Sequence, residues 1–213
     1  MKFNNLTLTT DGKARAFIEA QDLKTLWFNT GTLCNLTCKN CYIESSPTND
    51  RLSYLSFDEY VLFMNEATDE GFNVSEIGFT GGEPFLNKDF PKMLTHAANY
   101  GCDVLVLTNA MKPMLNKKSE ILTINRERLT FRVSIDHIDQ IKHEEIRGPN
   151  SYQPMMEGLK WLKDNGFKMS LATRLMWGES EEDTRKAFAK FISINQLPID
   201  AHSTKDLVTF TEM

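Results

Sequence analysis

Cys34, Cys38 and Cys41 lie in the run Cys34-Asn35-Leu36-Thr37-Cys38-Lys39-Asn40-Cys41 and are three of the four cysteines in the chain. The spacing Cys-x-x-x-Cys-x-x-Cys delivers three soft thiolates from one short loop, with no fourth beside them. A structural zinc site closes on four ligands, and an electron-carrying iron–sulfur cube also takes four cysteines. Three thiolates therefore suit an iron–sulfur cube with one iron open to a further ligand. Two other readings stand beside it: zinc completed by His96, His137, His143 or His202, and reactive thiols without a metal.

A second string, Thr80-Gly81-Gly82-Glu83-Pro84, follows a run with strand character. Paired glycines lack Cβ atoms and let a backbone come close to a ligand. Carbonyls exposed there could accept hydrogen bonds from an ammonium group, and Glu83 adds negative charge nearby. For Gly81-Gly82 alone, an ordinary strand-to-helix turn explains the glycines as well.

Both strings need elements that hold them. Short β-rich runs alternate with amphipathic segments, the pattern of a parallel α/β fold. Strands are expected at Leu26–Thr30, Glu76–Gly81, Asp103–Asn109, Leu129–Asp136, Lys168–Leu175 and Ile199–Ser203. Ser56-Phe57-Asp58-Glu59 forms a capping box for a helix ending at Gly71. Further helices are expected over Lys88–Tyr100, around Lys117–Glu127, over Tyr152–Asn165 with Ser151 as N-cap, and from Ser180 to Asn195. Leu6–Thr10 and Lys13–Ile18 flank Asp11-Gly12, a hairpin-turn dipeptide. The expected organisation is an N-terminal β-hairpin extension over residues 1–25 and a partial (β/α)6 barrel over residues 26–213.

The first two strand starts lie about twice as far apart as the next two, so the first connection carries an extra loop. It is the loop with the cysteines. Loops after strand C-termini are where α/β barrels build their sites. Strand alternation adds that one sheet face is polar: Gly78 and Thr80, then Arg132, Ser134 and Asp136, then Ser170, Ala172 and Arg174. Burying unpaired charge is costly, so this face is expected to line a hydrated lumen. The alternative is a set of internal ion pairs, such as Glu76 with Arg132.

The chain has 213 residues, 41% hydrophobic and 25% charged, with a formal charge of −5. That suits a single globular unit with a real core. No global basic field draws it to nucleic acid. No apolar run approaches the ~20 residues that cross a bilayer, and the opening residues Met1-Lys2-Phe3-Asn4-Asn5 lack the apolar core expected of a secretion signal. Cysteines crowded into one loop suit a reducing compartment rather than a disulfide framework, so a cytoplasmic protein is expected.

Taken together, the cysteine triplet followed by an aromatic residue, Tyr42, and the later Gly-Gly-Glu-Pro string resemble the radical SAM superfamily over about residues 24–205. The resemblance implies a TIM-like partial barrel. It also implies a 4Fe-4S cluster on Cys34, Cys38 and Cys41 whose fourth iron binds the amino and carboxylate groups of S-adenosylmethionine. One electron, from a donor such as flavodoxin or ferredoxin, then splits the sulfonium. A 5′-deoxyadenosyl radical results and takes hydrogen from a substrate. By the same resemblance Tyr42 lies against the adenine, and Gly81, Gly82 and Glu83 receive the methionine amino group. Thr108-Asn109 sits near the cofactor, and Ser134 and Asp136 face its ribose or carboxylate. Arg174 offers a bidentate fork to that carboxylate, or else makes a structural ion pair. His137 and His143 through Gly148 resemble a His-x-x-Ile-Arg-Gly loop of peptide-modifying members and are expected to order that loop. Cys102 and Trp161 are expected in the core.

The substrate class implied is a peptide or a small metabolite, with no membrane or nucleic-acid partner. A non-catalytic iron–sulfur or zinc scaffold, or a redox sensor, is the rival reading. Family relatives usually continue beyond a sixth strand. Leu207–Phe210 reads as an apolar run awaiting a packing partner, and truncation at the C-terminus is the expectation. S-adenosylmethionine binding should survive it.

Overall fold

Six parallel strands follow one another in space in the order of the sequence, β1 to β6, and the sheet curls into a half-barrel. The computed structural model describes residues 5–18 and 22–211. The strands are β1 (Thr25–Asn29), β2 (Glu76–Thr80), β3 (Asp103–Thr108), β4 (Leu129–Ser134), β5 (Lys168–Leu175) and β6 (Leu207–Thr211). The helices are α1 (Phe57–Asp69), α2 (Phe90–Asn99), α3 (Lys112–Leu115), α4 (Lys118–Leu122), α5 (Gln140–Arg147), α6 (Tyr152–Asp164) and α7 (Glu181–Asn195).

The period-two pattern of the strands sorts their two faces. In β4, Leu129, Phe131 and Val133 are buried while Thr130, Arg132 and Ser134 are partly open. The buried set joins Phe28, Ile77, Phe79 and Leu171 in one core under the helices. Phe79 packs edge-on against Phe90 of α2 at 5.2 Å between ring centroids. The other face is the lumen. Register places Arg132 beside Leu107 of β3 and Ser170 of β5. The ion pair between Glu76 and Arg132 does not form: Glu76 accepts a hydrogen bond from Thr25, and Arg132 donates to Ser170.

Local signals start the helices. Ser56 accepts from the Glu59 N–H while Glu59 accepts from the Ser56 N–H, the reciprocal cap read in the sequence, worth about 1 kcal/mol. Ser180 caps α7 through the Asp183 N–H. Ser151 does not cap α6; its hydroxyl donates to the Gly148 carbonyl at 2.7 Å.

Three expectations change. The sixth strand is Leu207–Thr211, not Ile199–Ser203: Leu171 of β5 pairs with Leu207, and Asp200 and His202 fold into a turn held by side-chain bonds to Asp206 and Asp200. The run Leu207–Phe210 thus has its partner in β5. The helix expected around 117–127 is two short ones, because Pro113 favours an earlier start at the first turn of α3. Residues 140–147 are helix rather than loop, with Asp139 capping the Lys142 N–H at 3.0 Å.

Near the N-terminus, Leu8 bridges Ala14 antiparallel around Gly12, whose φ is 78°. Leu6, Phe17 and Ile18 are exposed. Residues 1–4 and 19–21 of the expected hairpin unit lie outside the described residues.

Candidate metal centre

Between β1 and α1 the chain makes its long excursion and is fastened at each turn. The Thr30 N–H donates to the Thr80 carbonyl at 2.8 Å, Thr32 to Leu52 at 3.2 Å and Cys34 to Ser46 at 3.0 Å. The Gly82 N–H donates to Gly31 at 2.8 Å and the Glu83 N–H to Leu33 at 3.1 Å. The cysteine loop and the Gly81–Glu83 turn are therefore one backbone assembly, although about 50 residues separate them in sequence.

That assembly gives the glycines a packing reason besides the one expected. A Cβ on Gly82 would lie 2.1 Å from the Leu33 carbonyl oxygen, and one on Gly81 would lie 2.7 Å from that of Gly31. Gly81 also has φ of 140°, which L side chains rarely adopt. The missing methyls make room for the cysteine loop itself.

Glu83 also turns inward. Its carboxylate accepts from the Thr108 hydroxyl at 2.8 Å, the Asn109 N–H at 2.9 Å and the Phe85 N–H at 3.3 Å. Burial raises its pKa to about 7 against these bonds. Glu83 and Thr108 thus clamp the ends of β2 and β3 together. Asn109 reaches the other way: its amide donates to the Asn35 side chain at 2.9 Å and approaches the Cys34 sulfur at 3.9 Å.

Cys34 is buried; Cys38 and Cys41 are half-buried. Burial pushes the Cys34 thiol up to about 12, even though its sulfur accepts the Leu36 N–H at 3.4 Å. Burial also raises Cys38, with the nearby Arg147 opposing it. A metal binding here displaces those protons, since only thiolates ligate.

Arg147, at the end of α5, supplies the positive charge. Its Nε lies 2.8 Å from Asp136, whose side chain is 2% exposed. Burial opposes the Arg147 charge, but Asp136 and the Cys38 and Cys34 sulfurs outweigh it and hold its pKa above the ordinary value. Arg174 stands on the opposite side of Asp136, with Nε 3.4 Å away, and its Nη1 donates to the Lys39 carbonyl at 3.0 Å and approaches that of Asn40 at 3.4 Å. The Lys39 N–H in turn donates to Ile146 at 2.8 Å. α5 and β5 thus grip the loop between Cys38 and Cys41. Sequence reasoning undervalued Arg147, and its place beside an Ile-Gly pair was the available signal.

Ser134 opens to the lumen, and the Tyr42 ring is 78% exposed. His143 is fully buried, with neither ring nitrogen hydrogen-bonded among the described residues and its ring edge-on to Tyr152 at 5.4 Å. His137 contacts Glu179 at 3.2 Å, and His96 contacts the Tyr60 hydroxyl at 3.2 Å. Cys102 lies in the core, with Trp161 packed against it.

Among the described residues, no three His, Cys, Asp or Glu side chains gather as they would around a single ion. Donors to the Cys34 sulfur and a buried cation beside Cys34 and Cys38 suit an iron–sulfur cluster, whose charge is tuned by those same contacts.

The chain belongs to the Radical SAM superfamily, whose family model matches residues 28–191. Members of that family bind a 4Fe-4S cluster and S-adenosylmethionine. The antilisterial bacteriocin subtilosin biosynthesis protein AlbA of Bacillus subtilis is 29% identical over 170 residues, 76% of this chain and 37% of the relative. GTP 3′,8-cyclase of Campylobacter curvus is 26% identical over 153 residues, 70% of this chain and 46% of the relative. Streptococcus suis SuiB, in a crystal structure bound to S-adenosylmethionine, superposes with a TM-score of 0.70 at 16% identity, over 90% of this chain and 41% of that one. That last likeness is one of fold. The chain spans less than half the length of these relatives. Among the described residues, no helix is long and apolar enough to cross a membrane.

Proposed function

We propose that the chain is the radical-generating core of an enzyme that cleaves S-adenosylmethionine and takes a hydrogen atom from a peptide or small-metabolite substrate. Cys34, Cys38 and Cys41 would hold the 4Fe-4S cluster. The cluster, when bound, supplies the electron that cleaves the sulfonium and, at its open iron, a seat for the amino acid end of the cofactor. An external reductant such as flavodoxin or ferredoxin would deliver that electron.

The residues around the cysteines have separate tasks in this reading. The backbone of Gly81 and Gly82 borders the loop and is the natural partner for an ammonium group. Glu83 and Thr108 hold that turn in place through their mutual hydrogen bond, and Asn109 orients Asn35 and Cys34. Ser134, on the lumen face, would meet the ribose or carboxylate. Asp136 sits between Arg147 and Arg174, so its role is to fix both guanidiniums, with Arg174 left to face a carboxylate by its remaining donors. The exposed Tyr42 ring would close over the adenine.

One observation carries the reading: backbone hydrogen bonds join the cysteine loop directly to the Gly81–Glu83 turn, in a chain whose family binds both cofactors. The relationship to AlbA, a bacteriocin biosynthesis protein by name, favours a peptide over a small metabolite.

The test is reconstitution with iron and sulfide without oxygen, reduction by dithionite, addition of S-adenosylmethionine and assay for 5′-deoxyadenosine. Product is expected, and Cys38→Ala should abolish both cluster and product. A stable cluster that never yields 5′-deoxyadenosine would favour the scaffold or sensor instead.

A further inference from the structure

At the N-terminal ends of the strands, on the end of the half-barrel opposite the cysteine loop, lies a cavity of about 1080 Å³ that reaches Arg132 and Ser170. Its charged lining is mostly satisfied. Arg128 contacts Asp103 at 3.4 Å, Lys163 donates to the Asn195 carbonyl at 3.1 Å, Lys168 donates to the Glu127 carbonyl, and Glu76 accepts from Thr25 at 3.2 Å. Arg132 differs. It is half-buried on the lumen face of β4, and among the described residues no carboxylate lies within ion-pair distance of it. Its Nε donates to the Ser170 hydroxyl at 3.1 Å, which leaves both terminal nitrogens and the Ser170 hydroxyl proton without an acceptor among the described residues. Burial lowers its pKa although the Glu76 carboxylate, beyond ion-pair distance across the same cavity, acts against that lowering, so the guanidinium is partly stripped of water with only partial compensation.

A half-buried charge of this kind calls for a counter-ion, and a guanidinium fork matches a carboxylate. We infer that Arg132 and Ser170 form a carboxylate subsite in the lumen that anchors an acidic group of the substrate. The inference rests on the radical SAM reading for what the anchored molecule is, since Arg132 lies two residues before Ser134 on one strand and so about 7 Å below it. A substrate held there by its carboxylate presents its other end to the cofactor side. The carboxylate could belong to an acidic side chain or to a chain terminus, and the two are separable.

The experiment follows the Nε–Hε resonance of Arg132 in the 15N-labelled full chain, assigned by its loss in Arg132→Lys. The probes are glutarate, acetyl-Gly-Glu-Gly-amide with only a side-chain carboxylate, acetyl-Gly-Gln-Gly with only a terminal one, and the neutral acetyl-Gly-Gln-Gly-amide. A saturable shift is expected with glutarate and with one of the two acidic peptides, and none with the neutral peptide; the peptide that shifts it names the source. Calorimetric affinity for that probe should weaken at least about ten-fold in both Arg132→Gln and Arg132→Lys, and less in Ser170→Ala. An Arg132 resonance indifferent to every carboxylate probe, or equal affinity in folded Arg132→Gln, overturns the subsite. Neither measurement needs a cluster or a radical. Failure here leaves the 5′-deoxyadenosine assay standing, and failure of that assay leaves the anion site standing.

Discussion

The α-carbon of Gly82 faces the Leu33 carbonyl so closely that a methyl group there would lie 2.1 Å from the oxygen. Two backbones meet at this point, one carrying the cysteines and the other ending β2. Neither can yield like a flexible side chain, because the Glu83 N–H is bonded to that same carbonyl at 3.1 Å.

Gly82→Ala should therefore be costly out of proportion to one methyl. Overpacking of this kind costs about 3 kcal/mol, which for a domain of this size is roughly a 10 °C fall in Tm. Iron uptake should fall as well, since relief of the clash moves the loop. Scanning calorimetry and iron analysis after reconstitution check both. An alanine variant with unchanged Tm and full iron would show that the two backbones are not locked together.

The buried pair of Asp136 and Arg147 makes a second prediction. Removing one partner of a buried ion pair strands the other, at about 3–5 kcal/mol. Arg147→Met should destabilise by that amount and Asp136→Asn by less, because Asn can still accept from Arg147 and Arg174. The double variant should be more stable than the sum of the singles implies. Urea unfolding of the cycle measures the coupling; strict additivity would mean that the 2.8 Å contact contributes nothing.

Arg174 separates cluster assembly from folding. It is half-buried at the lumen rim and holds the Lys39 and Asn40 carbonyls, the segment between Cys38 and Cys41. Arg174→Ala should cost only about 1.5–3 kcal/mol of stability, the scale of hydrogen bonds to a charged group, yet reduce iron bound per protein severalfold. Equal iron content in the variant, measured by colorimetric assay beside its Tm, would remove Arg174 from the support of the loop.

What could be read in advance was local. The reciprocal cap of Ser56 and Glu59 and the alternation of Phe131, Arg132, Val133 and Ser134 depend on neighbours within a few residues, so they were visible. β6 was not: Leu207-Val208-Thr209-Phe210, an apolar run, becomes a strand through its pairing with β5, while the weaker candidate Ile199–Ser203 follows Pro198 into a turn. The cysteine spacing announced a metal loop without showing its supports. Glu83 takes its partners Thr108 and Asn109 from 25 and 26 residues away, and nothing near Glu83 in sequence distinguishes an inward carboxylate from one offered to a ligand. The same holds for Gly82, whose neighbour Leu33 lies on another strand's loop.

His143 gives the pH prediction. It is fully buried beside Tyr152, and among the described residues neither ring nitrogen has a hydrogen-bond partner. Burial lowers its pKa from 6.5 to about 4; Arg147 and His137 add to that lowering, while Asp136 and Glu144 oppose it. Between those two values the unfolded chain takes up a proton that the folded chain refuses. Stability from this residue is thus complete above about pH 6.5 and declines as pH falls toward 4, with a slope of at most about 1.4 kcal/mol per pH unit. His143→Phe keeps an aromatic ring against Tyr152 and removes the titration together with two unsatisfied nitrogens. The variant minus wild-type difference cancels other titrating groups, among them Glu83, whose raised pKa acts in the opposite direction over about pH 4.5 to 7. That difference should be constant above pH 7 and should grow in favour of the variant from pH 6.5 down to 4, as read by urea midpoints at closely spaced pH values. A difference independent of pH would mean that His143 protonates in the folded protein as readily as in the unfolded chain, and its burial would then carry no proton linkage.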